Sequence, residues 1–287
     1  MDHFTPSVSV LMAVYSLDDP SHFADALDSL LPFVKRLDTV VLVADGPLTP
    51  DLETVIEQRI FKLKITPVRL PKSLGLGQAL NVGLSKANSD YVLRMDADDL
   101  CRPERLDALL QRLAEDPLLD VIGSYIAEFD TDPAHPHAER RVPLMHSDIA
   151  RLMRTRCMMN HVSCLLRRQK VIDVGGYAGG RGFAEDWWLW ARLLSVGARF
   201  SNVDRVLVDV RVGNGFVGRR RGWIMLRQDM RLLQMMFNIG FIGWPQVITT
   251  VLIKLPQRLL PEVVVGRVYA MLRHKPYPAE STSSGVR

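Results

Sequence analysis

Short apolar segments alternate with amphipathic segments along the first half of the chain, and this alternation constrains the fold more than any other feature. Segments of strand length occupy residues 8–14, 39–44, 63–70, 91–95 and 120–123. Helical periodicity occupies residues 17–34, 50–59, 74–86 and 103–113. The alternation predicts an α/β fold with a doubly wound, mostly parallel sheet flanked by helices. Ligands of such sheets bind at the carboxyl ends of the strands.

The bulk composition narrows the class of protein. The chain has 287 residues and a net charge of +4, a mild excess that does not indicate a nucleic-acid partner. Its three cysteines have neither disulfide nor zinc-site spacing, which is typical of reduced thiols. The N-terminus lacks the basic flank and apolar run of a signal peptide. We therefore expect a cytoplasmic protein.

The middle of the chain is less regular. Residues 164–168 and 205–212 have strand character, and residues 185–196 have helical character. Residues 130–141 and 174–180 are rich in loop-forming residues, so we expect loops there.

The C-terminal part is dense in Met, Leu, Ile, Val and Arg. Pro245 interrupts its uncharged stretch, which argues against a membrane-spanning helix. An amphipathic helix on an anionic membrane, a packed helix and a dimer contact all fit this pattern. The sequence thus divides into a domain of residues 1–215, a basic amphipathic helical region of residues 216–275 and a disordered tail of residues 276–287.

An acidic cluster follows the fourth predicted strand and consists of Asp96, Asp98 and Asp99. Residues two apart on an extended chain point the same way, so Asp96 and Asp98 are expected to face one ligand. Clustered carboxylates repel one another, and such oxygen ligands suit hard cations such as Mg²⁺ or Mn²⁺. A solvated turn in which Asp99 caps the next helix is the alternative.

Two glycine-containing segments lie where a nucleotide would bind. Asp45 and Gly46 follow the second strand and can approach a base or ribose, although a simple turn explains them as well. Gly75 and Gly77 lie at the start of the helix that contains Asn81, where the backbone can approach a nucleotide. Their spacing matches neither a Walker loop nor a dinucleotide fingerprint, so close packing of the helix on the sheet is the alternative.

A second acidic pair, Glu185 and Asp186, opens a predicted helix that also contains Trp187, Trp188 and Trp190. The positive end of the helix dipole favours ionised carboxylates, and an ionised carboxylate can act as a general base. The acids are also explained by a purely structural role, in which their negative charges interact favourably with the positive end of the helix dipole. The rings could line a sugar site or belong to the core.

Together and in this order, these segments resemble the inverting family 2 glycosyltransferases of the GT-A fold, over roughly residues 6–215. Asp45 is similar to the family's nucleotide-contacting acid, and residues 75–81 to its glycine-rich helix start. Residues 96–99 are similar to its DXD motif, and residues 185–187 to its catalytic ED motif. The basic, apolar C-terminal region is similar to the C-terminal regions of bacterial exopolysaccharide and O-antigen enzymes.

The resemblance implies inverting transfer of a single sugar from a nucleotide-diphosphate sugar, with a UDP-sugar as the expected donor, to a hydroxyl of a lipid-linked oligosaccharide. It implies a divalent cation and a place at the cytoplasmic face of the inner membrane. The implied donor-binding residues are Asp45 at the nucleobase, Asp96 at the ribose, Gly75 and Asn81. The other implied roles are Asp98 for the metal, Asp186 as base with Glu185 in support, and His161, Trp188 and Trp190 at the acceptor. A buried structural role fits His161 equally well.

The chain departs from the family pattern at three places. Ala13 stands where a proline is usual, Ala44 and Gly46 leave Asp45 without a second acid, and Leu80 replaces the usual arginine before the helix asparagine. The processive QxxRW motif is absent near the C-terminus, which favours single-sugar addition. A sugar-nucleotidyltransferase-like enzyme is one alternative, but residues 14–19 are neither glycine-rich nor basic. A non-catalytic, membrane-associated scaffold is the other.

Overall fold

The computed structural model describes residues 6–178, 184–212 and 222–259. In these residues the sheet has nine strands. They are β1 (Val8–Val14), β2 (Val40–Ala44), β3 (Ile65–Arg69), β4 (Tyr91–Met95), β5 (Leu100–Cys101), β6 (Val121–Phe129), β7 (Ala138–Arg140), β8 (Leu165–Arg167) and β9 (Phe200–Arg211). The helices are α1 (Pro20–Asp28), α2 (Pro50–Arg59), α3 (Leu76–Lys86), α4 (Arg105–Glu115), α5 (His146–Met153), α6 (Arg168–Asp173), α7 (Glu185–Ser195), α8 (Trp223–Asn238) and α9 (Trp244–Leu259).

The strands follow the order β3-β2-β1-β4-β8-β6-β9-β5, with β7 beside β6. The longest pairings are parallel: β1 with β2 and β4, β2 with β3, and β6 with β9. The antiparallel pairings β4–β8, β6–β8, β6–β7 and β5–β9 are short. The predicted α/β fold with a mostly parallel sheet is therefore confirmed. Because the chain returns past β1 to form β4, these two strands flank a topological switch point.

Side chains of the central strand alternate between two cores, one on each face of the sheet. Val10 and Met12 pack into the core that includes Phe23 of α1. Leu11 packs into the opposite core, which includes Leu80 of α3 and Trp190 of α7. Helices α1, α2 and α4 thus cover one face, and α3 and α7 cover the other.

The helix predicted for residues 17–34 is in fact two elements. α1 is followed by a 3₁₀ segment, Leu31–Arg36. Asp19 caps the start of α1, its carboxylate accepting two backbone N–H hydrogen bonds at 2.8 and 3.0 Å. Pro32 lies at the start of the 3₁₀ segment, and because it lacks an N–H it cannot continue the hydrogen-bond ladder of α1.

The strand predicted for residues 120–123 is longer, and β7 lies within the loop predicted for residues 130–141. All of β6 is buried, including the polar side chains of Ser124 and Glu128. A strand that is covered on both faces need not alternate between apolar and polar residues, so its second half carries no strand pattern in the sequence.

The predicted helical extension is present as α8 and α9, which lie antiparallel. The backbone N–H of Gly222 donates to the carbonyl of Arg258 at 3.2 Å, and Arg258 Nε lies 2.7 Å from Asp229 Oδ2. Among the described helices, none is long and apolar enough to cross a membrane. The boundary predicted at 215/216, part of the loop predicted at 174–180 and the tail predicted at 276–287 lie outside the described residues.

Candidate active site

A cavity of about 500 Å³ opens at the carboxyl edge of β1, β2 and β4. The residues that line it include Tyr15, Asp18, Asp45, Ser73, Gly75, Asp96 and Asp98. The structure thus brings together four residues that the sequence assigned to the donor and the metal: Asp45, Gly75, Asp96 and Asp98. The cavity occupies the switch point, where ligand binding is expected.

Asp45 organises the wall of this cavity. One carboxylate oxygen accepts a hydrogen bond from the backbone N–H of Leu74 at 2.7 Å. The other accepts from the Ser73 hydroxyl at 2.9 Å and from the N–H of Gly75 at 3.0 Å. Gly46 has a φ of +95°, and a Cβ there would lie 2.8 Å from the backbone nitrogen of Ser73. The loop before α3 is therefore fixed against the end of β2.

Two carboxylates of the cavity, those of Asp18 and Asp98, have raised pKa values. Burial raises the pKa of Asp18 to about 6, and the charges of Asp98 and Asp96 add to this effect. Burial also raises the pKa of Asp98, again with a contribution from Asp96. Carboxylates held together in this way are stabilised in their ionised form by a cation.

Asp99, the third acid of the cluster, is buried away from the cavity and supports the fold. Its carboxylate accepts a hydrogen bond from the backbone N–H of Arg211 at 2.9 Å. Burial and then the charges of Asp96 and Asp98 hold its pKa well above the ordinary value. It does not cap α4, whose N-cap residue is Glu104.

Arg94 lies beneath the cavity on β4. Its side chain is 1% exposed, and its Nη1 atom is 2.5 Å from Oδ1 of Asp96. The contact is ionic, since neither Nε nor Nη1 meets an acceptor in hydrogen-bond geometry among the described residues. Against the larger effect of burial, this charge acts to lower the pKa of both Asp98 and Glu185. A fixed positive charge therefore acts on both acidic groups.

Glu185 and Asp186 occupy the first turn of α7. Burial raises the pKa of Glu185 to about 7; the charge of Asp186 adds to this, and a hydrogen bond from the backbone N–H of Gly77 opposes it. Asp186 accepts hydrogen bonds from the backbone N–H of Trp187 at 2.8 Å and from Sγ of Cys157 at 3.7 Å. Burial and the charge of Asp186 raise the pKa of the Cys157 thiol to about 12, so it stays a donor.

Gly77 allows the start of α3 to contact the start of α7. A Cβ at this position would lie 2.5 Å from the carbonyl oxygen of Ala178 and 3.3 Å from Cγ of Glu185. Leu76, the residue before Gly77, lines the cavity, and the charge of Asp96 in the cavity acts on Glu185, so Glu185 lies near the cavity. Neither Glu185 nor Asp186 is among the described residues that line the cavity.

The profile of glycosyl transferase family 2 matches residues 9–176, more than half of the chain. The chain belongs to this glycosyltransferase family. It is 35% identical to an uncharacterized glycosyltransferase of Haemophilus influenzae, over 93% of this chain and 99% of that protein.

A second relative has a named reaction. The chain is 30% identical to the UDP-Gal:alpha-D-GlcNAc-diphosphoundecaprenol beta-1,3-galactosyltransferase of Escherichia coli, over 94% of this chain and 97% of that protein. The fold of this chain is similar to that of a mannosyltransferase from Pyrobaculum calidifontis solved in complex with GDP-Man and Mn²⁺. The TM-score is 0.57, and the two sequences are 17% identical over 94% of this chain and 81% of the mannosyltransferase. The predicted GT-A fold is confirmed.

Asn81 is not part of the cavity of this family 2 enzyme. Its amide nitrogen donates to the carbonyl of Tyr177 at 2.9 Å, and its amide oxygen accepts from the backbone N–H of Tyr177 at 2.7 Å. Both ends of the amide are therefore occupied by the loop that precedes α7. We assign Asn81 to holding this loop rather than to contacting the donor.

The acceptor residues predicted for the glycosyltransferase lie mainly in the core. Trp190 is completely buried and packs edge-on against Phe200, and Trp188 is buried beneath the guanidinium of Arg192. Trp188 is 8% exposed and Trp190 is not exposed at all, so in the described residues both rings belong to the core, and their acceptor role stays a prediction. His161 is partly buried, and its Nε2 lies 2.9 Å from the hydroxyl of Tyr177.

The donor set of the cavity is suited to a divalent cation that also binds a diphosphate. Among the described residues, no three acidic, histidine or cysteine side chains are grouped so as to hold a metal alone. Asp96 and Asp98 both face the cavity, however, and Mg²⁺ is commonly bound by one or two carboxylates together with substrate phosphates. The residues therefore fit such a cation once a nucleotide supplies the remaining oxygens.

Sequence reasoning missed several residues of this glycosyltransferase site. Asp18 follows the first strand and could have been found from the rule that places ligands at strand ends. Arg94 and Cys157 carry no motif, because their roles depend on contacts with residues distant in the chain.

Proposed function

We propose that this family 2 glycosyltransferase transfers one sugar from a nucleoside-diphosphate sugar to a hydroxyl group, with inversion at the anomeric carbon. The observation that carries the proposal is the juxtaposition of two acidic groups. Asp96 and Asp98 face the cavity at the switch point, and Glu185 with Asp186 adjoins it across Gly77. A donor in the cavity would lie between carboxylates that suit a cation and a carboxylate that suits a base.

The donor would occupy the cavity with its nucleobase near Asp45 and its ribose near Asp96. The loop that Asp45 fixes presents the backbone of Gly75 to the cavity, so the wall at this point is rigid and has no side chain. The relative from Escherichia coli uses a UDP-sugar by name. We therefore propose a UDP-sugar as the donor.

The metal would be held by Asp98, with Asp96 beside it. A divalent cation, Mg²⁺ or Mn²⁺, supplies Lewis-acid stabilisation of the negative charge on the departing diphosphate. The raised pKa values of Asp18 and Asp98 support this assignment, because mutual repulsion among the carboxylates is relieved when a cation binds.

The base would be Asp186, which takes the proton from the acceptor hydroxyl as that oxygen attacks from the face opposite the diphosphate. Cys157 and the backbone N–H of Trp187 each donate to this carboxylate and hold its orientation. Glu185 supports it from the cavity side. We place His161 on the acceptor side, where Tyr177 fixes its ring.

The acceptor would be a lipid-linked oligosaccharide of surface polysaccharide synthesis, used at the cytoplasmic face of the inner membrane. The support is the diphosphoundecaprenol acceptor in the name of the Escherichia coli relative, which matches this chain along nearly its whole length.

A thermal-shift panel of nucleoside diphosphates with and without Mn²⁺ tests the donor site. We expect UDP with Mn²⁺ to raise the melting temperature most, by roughly 5 °C at about a hundredfold excess over its Kd. Asp98→Ala should remove the part that depends on Mn²⁺. Asp186→Asn should keep the shift but abolish transfer to the acceptor. Transfer at the native rate by Asp186→Asn would refute the assignment of the base.

A further inference from the structure

Helix α9 exposes a row of large apolar side chains. Trp244, Ile248, Leu252 and Leu255 are 67, 56, 67 and 39% exposed. Spacings of four, four and three residues place them on one face of the helix. Thr250 lies on another face and is buried. A contiguous apolar face of this kind on a water-facing helix marks a surface that binds something.

Helix α8 extends this surface. Trp223 and Ile224 are exposed at its start, and the exposed Arg227 and Arg231 follow one and two turns later. The antiparallel contact of Gly222 with Arg258 puts this end of α8 beside the last turn of α9. We call the outer side of the two helices the C-terminal face; it consists of Trp223, Ile224, Arg227, Arg231, Trp244, Ile248, Leu252 and Leu255.

The charge of the C-terminal face has one sign. Residues 222–259 contain four basic residues and a single acid, Asp229. Asp229 is buried and lies 2.7 Å from Nε of Arg258 and 3.8 Å from Nζ of Lys254. Its charge is therefore neutralised within the protein, and within residues 222–259 the outer side combines apolar side chains with the positive charge of Arg227 and no exposed acid.

We propose that the C-terminal face docks on an anionic phospholipid surface. Tryptophan and aliphatic side chains enter the boundary between headgroups and acyl chains, and arginines meet lipid phosphates. A symmetric contact between two copies is disfavoured, because it would bring Arg227 of both copies to one interface to which residues 222–259 contribute no exposed acid. The proposal rests on the proposed function in that a lipid-linked acceptor requires the enzyme to work at such a surface.

The docked surface connects directly to the helix that carries the proposed base. Nζ of Lys254 lies 5.6 Å from the ring centre of Trp187, the residue after Asp186. Leu232 and Met236 of α8 belong to the same core as Trp187. Docking would therefore set the height of Asp186 above the lipid surface, where the hydroxyl of a lipid-linked acceptor is presented.

Vesicle flotation tests the proposal on the full chain. We expect the wild type to float with vesicles of equal parts phosphatidylglycerol and phosphatidylcholine, and much less with phosphatidylcholine alone or at high salt. The double variant Ile248→Ser with Leu252→Ser should bind vesicles about tenfold more weakly, or worse. The matched control Phe61→Ser with Leu118→Ser removes side chains that are 93 and 65% exposed elsewhere and should bind like the wild type.

Two further measurements separate the outcomes. Both double variants should transfer sugar to a water-soluble acceptor at the wild-type rate without vesicles, since the substituted residues lie outside the site. A wild type that transfers sugar but does not float overturns docking alone; one that floats but never transfers sugar overturns the proposed function alone. Light scattering that shows Ile248→Ser with Leu252→Ser converting a dimer to a monomer, with vesicle binding unchanged, overturns docking in favour of a contact between copies.

Discussion

The guanidinium of Arg94 lies 2.5 Å from the carboxylate of Asp96, and the arginine is almost wholly buried whereas the aspartate side chain is 38% exposed. The pair therefore connects the interior of the protein to the cavity. Arg105, a second fully buried arginine near the same strand, has a different environment. Its Nη2 donates to the backbone carbonyls of Arg94 and Val162, each at 2.7 Å.

The difference between these arginines predicts different effects of removing them. Arg94→Met should weaken binding of UDP with Mn²⁺ about thirtyfold, or about 2 kcal/mol, because Asp96 loses the charge that holds it. Isothermal titration calorimetry on the folded variant measures this loss. Arg94→Lys should restore part of the affinity.

Arg105→Met is the matched control for this prediction. It leaves two buried carbonyls without a donor and should lower the melting temperature, but the folded protein should bind UDP with Mn²⁺ as the wild type does. Equal losses of affinity in Arg94→Met and Arg105→Met would show that Arg94 contributes only to folding.

The raised pKa of Glu185 predicts a pH dependence of stability. The ordinary pKa of this group is 4.5, and burial followed by the charge of Asp186 raises it to about 7 in the folded protein. The folded state then binds a proton more tightly than the unfolded state, so the stabilisation is complete below pH 4.5 and is lost as the pH rises through about 7. Glu185→Gln should remove this decline.

Chemical denaturation of wild type and Glu185→Gln over this pH range gives the difference directly. We expect the variant to gain stability relative to the wild type as the pH rises from 4.5 to about 7. A constant difference would show that Glu185 titrates normally and lies in water.

The environment of Cys157 predicts low reactivity. Burial and then the charge of Asp186 raise the pKa of its thiol to about 12, so the nucleophilic thiolate is scarce at neutral pH. Cys101 and Cys164 are buried as well. Iodoacetamide should label none of the three cysteines in the native protein and all of them after denaturation, as read by intact-mass spectrometry. Rapid labelling of Cys157 in the native state would contradict the packing around Asp186.

The contact between α3 and α7 predicts that Gly77 cannot carry a side chain. In Gly77→Ala the new methyl group would lie 2.5 Å from the carbonyl of Ala178, and relief of this clash would displace Glu185. We expect a loss of about 1–3 kcal/mol in unfolding free energy and a larger relative loss of transfer activity.

Gly243→Ala is the control for Gly77→Ala, because a Cβ at Gly243 meets no atom closer than 3.4 Å. It should be nearly neutral in urea denaturation and in the transfer assay. Normal stability of Gly77→Ala would show that the start of α7 moves aside readily.

The elements that show a local hydrophobic pattern could be predicted from the sequence. Strands β1 to β4 are short apolar runs, and the rule on carboxyl ends of parallel strands places Asp45, Asp96 and Asp98 at one edge, where the structure has them. The break at Pro32 was also visible in the sequence, but apolar periodicity on both sides of it concealed the end of α1.

The remaining features depend on tertiary contacts that no local pattern records. The polar residues of β6 are buried because neighbouring strands and helices cover both faces. The three tryptophans of α7 are buried because α7 is enclosed by the sheet and by α8, so a helix that looked suited to sugar stacking is a core helix. Likewise, Asn81 stands in the glycine-rich helix-start motif, but both the nitrogen and the oxygen of its amide form hydrogen bonds with the backbone of Tyr177.

The position of β9 has a consequence for how the chain can be divided. The family profile ends at residue 176, yet β9 comes later in the chain and pairs with every residue of β6. Helix α7 closes the core on that side of the sheet. A fragment cut at the end of the recognised segment would leave β6 with an open edge and uncover the apolar side chains beneath α7. Expression of residues 9–176 alone should therefore yield aggregates, and a usable minimal enzyme must extend through the last strand of the sheet.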